Sequence, residues 1–316
     1  MRRIPDSALE LLRADADVWV SEHDRPLTRA ELLEAVAGVD AAVTLLHDRV
    51  DADFLDAAGG QLRIVANVAV GYDNVDVAAA AERGVVVTNT PGVLTDATAD
   101  LTMALILAVT RRVCEGDRLV RAGVEWSWDM FFMLGASLQG KTLGVVGLGQ
   151  IGAATARRAR AFGMEIAYAG RRRASRDVEA ELGGARRLPL EELLAEADVV
   201  TLHVPLGPET HHLIDAGRLE LMRESAYLVN TARGPIVDEG ALAAALGAGS
   251  IAGAALDVFE HEPRVHADLV GLDNVVLLPH LGSATIETRT AMAELAASNV
   301  LAVLAGQSPL TPVSAT

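Results

Sequence analysis

The feature that most narrows what this chain can fold into is the run Leu143-Gly144-Val145-Val146-Gly147-Leu148-Gly149-Gln150-Ile151-Gly152. Three glycines in G-x-G-x-x-G spacing follow an apolar, β-branched run and open an amphipathic helical stretch. That is the context a dinucleotide-binding βα turn requires. Gly147 permits the tight turn, Gly149 lets the backbone approach a pyrophosphate, and Gly152 lets the helix pack close to the strand. The helix N-terminus then offers oriented N–H groups and a positive dipole end to an anion. Gly135, Gly140, Lys141 and Thr142 also match the P-loop pattern G-x-x-x-x-G-K-T. There the strand comes after the lysine and none precedes the first glycine, so the match is a decoy.

On both sides of the glycine loop, short β-branched runs alternate with alanine-rich helical stretches, which reads as α/β with parallel sheets. Strands are expected at 42–46, 63–66 and 85–88, and then at 142–146, 165–169, 199–203, 226–230, 253–256 and 275–278. Helices are expected at 95–112, 151–162, 191–197, 240–246 and 285–305. The later series amounts to five or six parallel strands, a doubly wound nucleotide-binding sheet. The last helix has no strand left to serve there, so it returns to the first part and makes that domain discontinuous. The 95–112 helix is apolar on most faces and should be buried, with a second subunit as one candidate cover.

Composition removes several alternatives. With 316 residues, 51% of them hydrophobic, the chain can bury a sizeable core and is not dominantly disordered. Its 43 acids against 27 bases oppose binding to a phosphate backbone, so no nucleic-acid partner is expected. The single cysteine, Cys114, excludes a disulfide framework and a Cys-rich zinc site. His261, His266, Glu260 and Glu262 have no fixed spacing on one face, and no metal is expected. The most apolar window, 101–110, is about half of the ~20 residues a membrane span needs, and Asp96, Asp100 and Arg111 bracket it. Met1-Arg2-Arg3 is basic, but Pro5-Asp6-Ser7 follows in place of an apolar run, so a cytoplasmic chain without a leader is the expectation.

The second strand of the nucleotide-binding series ends at Gly170, where an acid would hold the adenosine ribose. Arg171, Arg172 and Arg173 follow, with Arg176 nearby. Guanidinium forks match phosphate geometry, while a carboxylate would repel a 2′-phosphate. This favours NADP(H) over NAD(H), with Arg171 as the first contact and Arg172 as the second.

Three polar segments end the later strands, where open α/β sheets build their crevices. They are Asn230-Thr231-Ala232-Arg233-Gly234, Asp257-Val258-Phe259-Glu260-His261-Glu262-Pro263, and His280-Leu281-Gly282-Ser283. Together they supply a guanidinium, a carboxylate and an imidazole, the parts needed to bind an anionic carbonyl compound and move a proton. These segments, the glycine loop, Asn67-Val68-Ala69-Val70-Gly71-Tyr72-Asp73-Asn74 and Thr88-Asn89-Thr90-Pro91-Gly92 resemble the D-isomer-specific 2-hydroxyacid dehydrogenases over nearly the whole chain, and within them the glyoxylate/hydroxypyruvate reductases.

The resemblance implies two doubly wound parallel-sheet domains. One is a Rossmann cofactor domain at 94–284, and the other a discontinuous flavodoxin-like substrate domain at 1–93 and 285–316. It implies that Arg233 grips the substrate's carboxylate and carbonyl oxygen, that His280 is the general acid in reduction, and that Glu262 pairs with His280 and favours its charged form. Backbone N–H groups around Val70 and Gly71 would hold the carboxylate. Leu148, Gly149, Gln150 and Ile151 would cradle the pyrophosphate, and Val204 and Pro205 would line the adenosine side. Thr231 and Ala232 would border the nicotinamide ribose, Asp257 would bond the carboxamide, and His280 and Gly282 would border the ring. A small 2-oxo acid and a homodimer are the implied partners, and Phe132 is expected to reach toward a neighbouring subunit's site. The competing readings are an NAD-dependent 3-phosphoglycerate or D-lactate dehydrogenase, and a nucleotide-sensing binding protein like the corepressors of this fold.

Overall fold

The computed structural model describes residues 3–23 and 25–314. Met1 and Arg2, read above as part of a start without a leader, lie outside them. Two compact units emerge, Met1–Leu94 with Ser283–Thr316 and Thr95–Gly282.

The first unit runs α1 (Asp6–Asp15), α2 (Arg29–Val36), β1 (Ala41–Thr44), α3 (Ala52–Ala58), β2 (Ile64–Asn67), α4 (Val77–Glu82) and β3 (Val86–Thr88). The three strands pair in parallel in the order β1-β2-β3. Alternation along β2 sends Ile64 and Ala66 to one face and Val65 to the other. Val65 packs with residues of α2, α3 and α4, such as Phe54 and Ala80.

The second unit begins with α5 (Thr95–Thr110) and α6 (Val113–Arg121), then β4 (Thr142–Val146), α7 (Gln150–Ala161), β5 (Glu165–Ala169), α8 (Arg176–Glu181), β6 (Arg186–Arg187) and α9 (Leu190–Glu196). It continues with β7 (Val199–Leu202), α10 (Ala216–Leu221), β8 (Tyr227–Asn230), α11 (Glu239–Gly247), β9 (Gly253–Leu256), α12 (Ala267–Val270) and β10 (Val275–Leu277). The final helix, α13 (Ile286–Leu304), returns to the first unit. There Ala293, Ala296 and Val300 cover Ile64 and Ala66 together with α1.

The larger sheet has seven parallel strands in the order β10-β9-β8-β7-β4-β5-β6. Strand order reverses between β4 and β7, so the loops after Val146 and Leu202 splay apart at a topological switch point. The smaller sheet has no such reversal. Its crossovers share one face, and the terminal helices cover the other. One strand more than expected is present: β6 has two residues, both arginine, too short and too charged to carry a period-two apolar signal. The α-helix expected at 95–112 stops at Thr110, and Arg112 takes a left-handed φ of 55° before α6 starts. Its apolar faces pack on α7 and on β8, β9 and β10, so they are covered within the subunit. Lys141 of the decoy motif pairs with Asp198 at 3.1 Å. Among the described residues, no helix is long and apolar enough to cross a membrane.

His203 extends the β4–β7 ladder by one bond, its N–H donating to the Val146 carbonyl. Its ring meets the Thr201 hydroxyl at 3.0 Å, and burial pushes its pKa down to about 3. The unfolded chain, with an ordinary histidine value near 6.5, takes up this proton first. His203 therefore leaves stability untouched above that value and erodes it as pH falls toward 3, by up to about 1.4 kcal/mol per pH unit. Urea denaturation from pH 7 to pH 4.5 checks this. His203→Gln is expected to lose less stability over that range than the parent chain, and parallel losses contradict the assignment.

Candidate active site

The glycine loop sits at the switch point. Gly147 has a φ of 95°, and a Cβ there would lie 2.6 Å from the His203 carbonyl oxygen, so no other residue fits without shifting the β7 loop. Its N–H donates to the Ala169 carbonyl at 2.8 Å, which ties the turn to β5. A Cβ on Gly152 would meet the Gly147 oxygen at 2.2 Å, so the first turn of α7 packs directly on the loop. Around Gly149 there is open space, and as N-cap of α7 it carries no side chain to occupy the helix end. This cradle fits a dinucleotide pyrophosphate. Leu148, Gln150 and Ile151 complete the turn. Val204 packs beside Gly147, and Pro205 is exposed next to it.

At the end of β5, Gly170 has room around its Cα, and Arg171 and Arg172 are exposed. Arg173 is committed elsewhere, in a two-bond pair with Glu179 that also accepts the Tyr168 hydroxyl.

The polar end of the candidate site is assembled by three loops. After β8, the buried Asn230 folds the turn onto itself: its Oδ1 accepts the Ala232 N–H and its Nδ2 donates to the Arg233 carbonyl. Gly234 then begins a 3₁₀ turn, Gly234–Ile236. A Cβ on Gly234 would lie 1.8 Å from the Phe259 carbonyl carbon, so this loop presses backbone to backbone on the loop after β9.

The β9 loop carries Glu262. Its Oε1 accepts the Phe259 N–H at 3.1 Å, and its Oε2 lies 2.9 Å from His280 Nδ1. Burial pushes the Glu262 carboxyl up. The His280 bond and charge, the Phe259 N–H and the nearby charge of Arg233 outweigh it and hold the group below the usual carboxylate range. Arg233, Glu262 and His280 thus share one electrostatic neighbourhood.

His280 has a φ of 56°, an uncommon conformation for a residue with a Cβ. What holds it is Asp257. Three successive N–H groups converge there: His280 on the Asp257 carbonyl (2.8 Å), Leu281 on Oδ1 (2.7 Å) and Gly282 on Oδ2 (2.8 Å). Asp257 is 0% exposed. Burial raises its carboxyl above the ordinary value, against the pull of the Leu281 and Gly282 bonds.

Helix α5 links the loops from the side. The Thr98 hydroxyl donates to the Gly282 carbonyl at 3.1 Å, and the Thr102 hydroxyl meets Thr231 Oγ1 at 3.0 Å.

Val70 and Gly71 lie in the first unit, in the loop after β2. Asn89 Nδ2 donates to the Val70 carbonyl and Asn67 Nδ2 to the Gly71 carbonyl, and a reciprocal Asn67–Asn74 amide pair locks the loop. Phe132 stacks on Trp126 at 5.8 Å and is half-buried, while Trp128 and Phe131 beside it are 75% and 83% exposed.

With this geometry in place, the comparisons decide the family. Residues 103–282 match the model of the D-isomer specific 2-hydroxyacid dehydrogenase, NAD binding domain. The chain is 51% identical to a glyoxylate reductase of Thermococcus onnurineus, over 99% of this chain and 94% of that one. The chain belongs to the D-isomer specific 2-hydroxyacid dehydrogenases. A solved protein of Thermus thermophilus superposes with a TM-score of 0.93 at 48% identity, covering 99% of this chain and 98% of that one. The NADPH-dependent glyoxylate/hydroxypyruvate reductase of Sinorhizobium meliloti, solved with NADP and malonate, superposes at 0.86 with 36% identity, over 99% and 95%.

In this dehydrogenase several supporting residues escape sequence reasoning. Glu260 and Glu239 exchange backbone-to-carboxylate bonds at 2.7 and 2.8 Å, and His212 Nε2 meets Glu260 Oε2 at 3.1 Å. This bracing fixes the loop that carries Glu262. A glutamate two residues from Glu262 is visible in the sequence, but its partners, 21 and 48 residues away, are not.

Proposed function

We propose that this dehydrogenase reduces a small 2-oxo acid, glyoxylate or hydroxypyruvate first, to the 2-hydroxy acid, the D isomer where the product is chiral, with NADPH as the preferred cofactor. The observation that carries the reading is the His280–Glu262 pair at 2.9 Å, held beside Arg233 at the carboxyl end of a sheet with a glycine cradle. The names of the relatives, glyoxylate reductases among them, support the same substrate class.

When bound, the reduced dinucleotide supplies a hydride. Gly147 to Gly152 would hold its pyrophosphate, Gly170, Arg171 and Arg172 its adenosine ribose, Val204 and Pro205 its adenosine side, and Thr231 and Ala232 the other ribose. Arg233 binds the substrate's carboxylate and carbonyl oxygen through its fork, which orients the carbonyl and draws electron density toward oxygen. His280 Nδ1 is committed to Glu262, so Nε2 is the nitrogen that faces the carbonyl. As the carbonyl carbon gains hydride, Nε2 gives its proton to the oxygen, and the ring becomes neutral. Glu262 stays ionised throughout and balances the imidazolium before transfer. Asp257 positions His280 through the bonds it accepts from the N–H groups of residues 280–282.

The exposed apolar surface of 113–134, including Trp128, Met130, Phe131 and Leu134, supports a homodimer through this segment. Light scattering after size exclusion tests it. The parent chain is expected at twice the monomer mass and Trp128→Glu with Phe131→Glu at the monomer mass, and a monomeric parent contradicts it.

The chemistry is tested by steady-state kinetics with glyoxylate, hydroxypyruvate, pyruvate and 3-phosphohydroxypyruvate, each with NADPH and NADH. The highest kcat/KM is expected for glyoxylate or hydroxypyruvate with NADPH. His280→Ala should lower kcat by more than ~100-fold, and Arg233→Ala should raise KM and lower kcat together. Failure of every 2-oxo acid to be reduced would favour the nucleotide-sensing alternative.

A further inference from the structure

Arg171, Arg172, Arg173 and Arg176 follow β5 in the chain, and Arg186 and Arg187 make up β6 beside it. Their surroundings differ. Arg173 is neutralised by Glu179, and Arg186 by Glu196. Among the described residues, the one carboxylate that Arg171 approaches is Glu209, at 3.8 Å, with both side chains mostly exposed. Such a pair contributes little. Among the described residues, no carboxylate pairs with Arg172 or Arg187.

Arg187 is placed by the sheet edge. In the β5–β6 register it lies opposite Tyr168, two residues before Gly170. From there its side chain runs along β5 to the turn, and Nη2 donates to the Gly170 carbonyl at 2.8 Å and the Arg171 carbonyl at 3.2 Å. One nitrogen makes both bonds, which leaves the other N–H groups of the fork out of them. Arg171, Arg172 and Arg187 thus come to one strand end, all three exposed and with little counter-charge of their own.

The geometry points to Arg187 as a third cation for the 2′-phosphate and a determinant of cofactor choice, hung from the turn whose arginines are proposed above to read the same group. The inference rests on the NADPH reading and adds a residue to it. A phosphate monoester carries close to two negative charges and three acceptor oxygens, enough to engage three guanidinium forks. The Nη2 bonds also fix the Gly170–Arg171 backbone, so Arg187 supplies both charge and order.

Calorimetric titration of the full chain with 2′,5′-ADP and with 5′-AMP separates these ideas without turnover. The parent chain is expected to bind 2′,5′-ADP more tightly than 5′-AMP. Arg187→Met should weaken 2′,5′-ADP about tenfold and leave 5′-AMP within about twofold, with the loss shrinking as salt rises. Arg187→Lys, a point charge without the fork, should recover part of the loss at low salt. Unchanged 2′,5′-ADP binding in Arg187→Met overturns the assignment. Equal loss of both nucleotides in both variants also overturns it, in favour of a purely structural role. Equal affinity of the parent chain for the two nucleotides would sink the NADPH reading itself, a separate result.

Discussion

Asp257 is the constraint on which the candidate active site depends. A carboxylate with no solvent exposure needs hydrogen-bond donors, and the ones available are consecutive N–H groups of the loop after β10. Serving them forces His280 into a left-handed backbone conformation, at a cost of roughly 1–3 kcal/mol. The three bonds offset that cost, and the imidazole is turned onto Glu262 as a result. The strain is the means by which a side chain from β10 is delivered to an acid from β9.

A second constraint brings the β8 loop to the same place. Gly234 has no Cβ, so its backbone closes on Phe259 and Glu260 to a distance that any side chain would forbid. Arg233, next in line, comes near enough to depress Glu262. Thr98 and Thr102, one helical turn apart on α5, pin the loops of Gly282 and Thr231 to the same buried helix face. Every one of these contacts lies at the carboxyl end of the seven-stranded sheet, as does the glycine loop. The fold's parallel order therefore concentrates cation, imidazole, carboxylate and anion cradle on one edge.

The parts legible in the sequence are those with local signatures. The glycine loop has fixed spacing and a required strand–helix context, and the short apolar runs of β4, β5, β7, β8 and β9 between helical stretches are long enough to show. The polar segments carrying Arg233, Glu262 and His280 stand out because each follows such a run. What stays hidden depends on contacts distant in sequence. β6 is a pair of charged residues that becomes a strand only because β5 offers it an edge. Arg187 looks like one more surface arginine until the register places it beside Gly170. The helix expected at 95–112 ends two residues early, at Thr110, and the left-handed backbone of Arg112 that separates it from α6 has no local signature. The buried setting of Asp257, which makes it the anchor of His280, requires knowing that 24 residues later the chain returns above it.

The central claim is that His280 and Glu262 act as one unit. A double-mutant cycle on kcat/KM for glyoxylate reduction, using Glu262→Gln, His280→Gln and the combined variant, measures this most directly. The account predicts that Glu262→Gln lowers kcat/KM substantially in the parent chain and changes it little once His280 is gone. Independent, multiplicative losses would contradict it, because they would mean that the carboxylate serves the reaction by a route that does not pass through the imidazole.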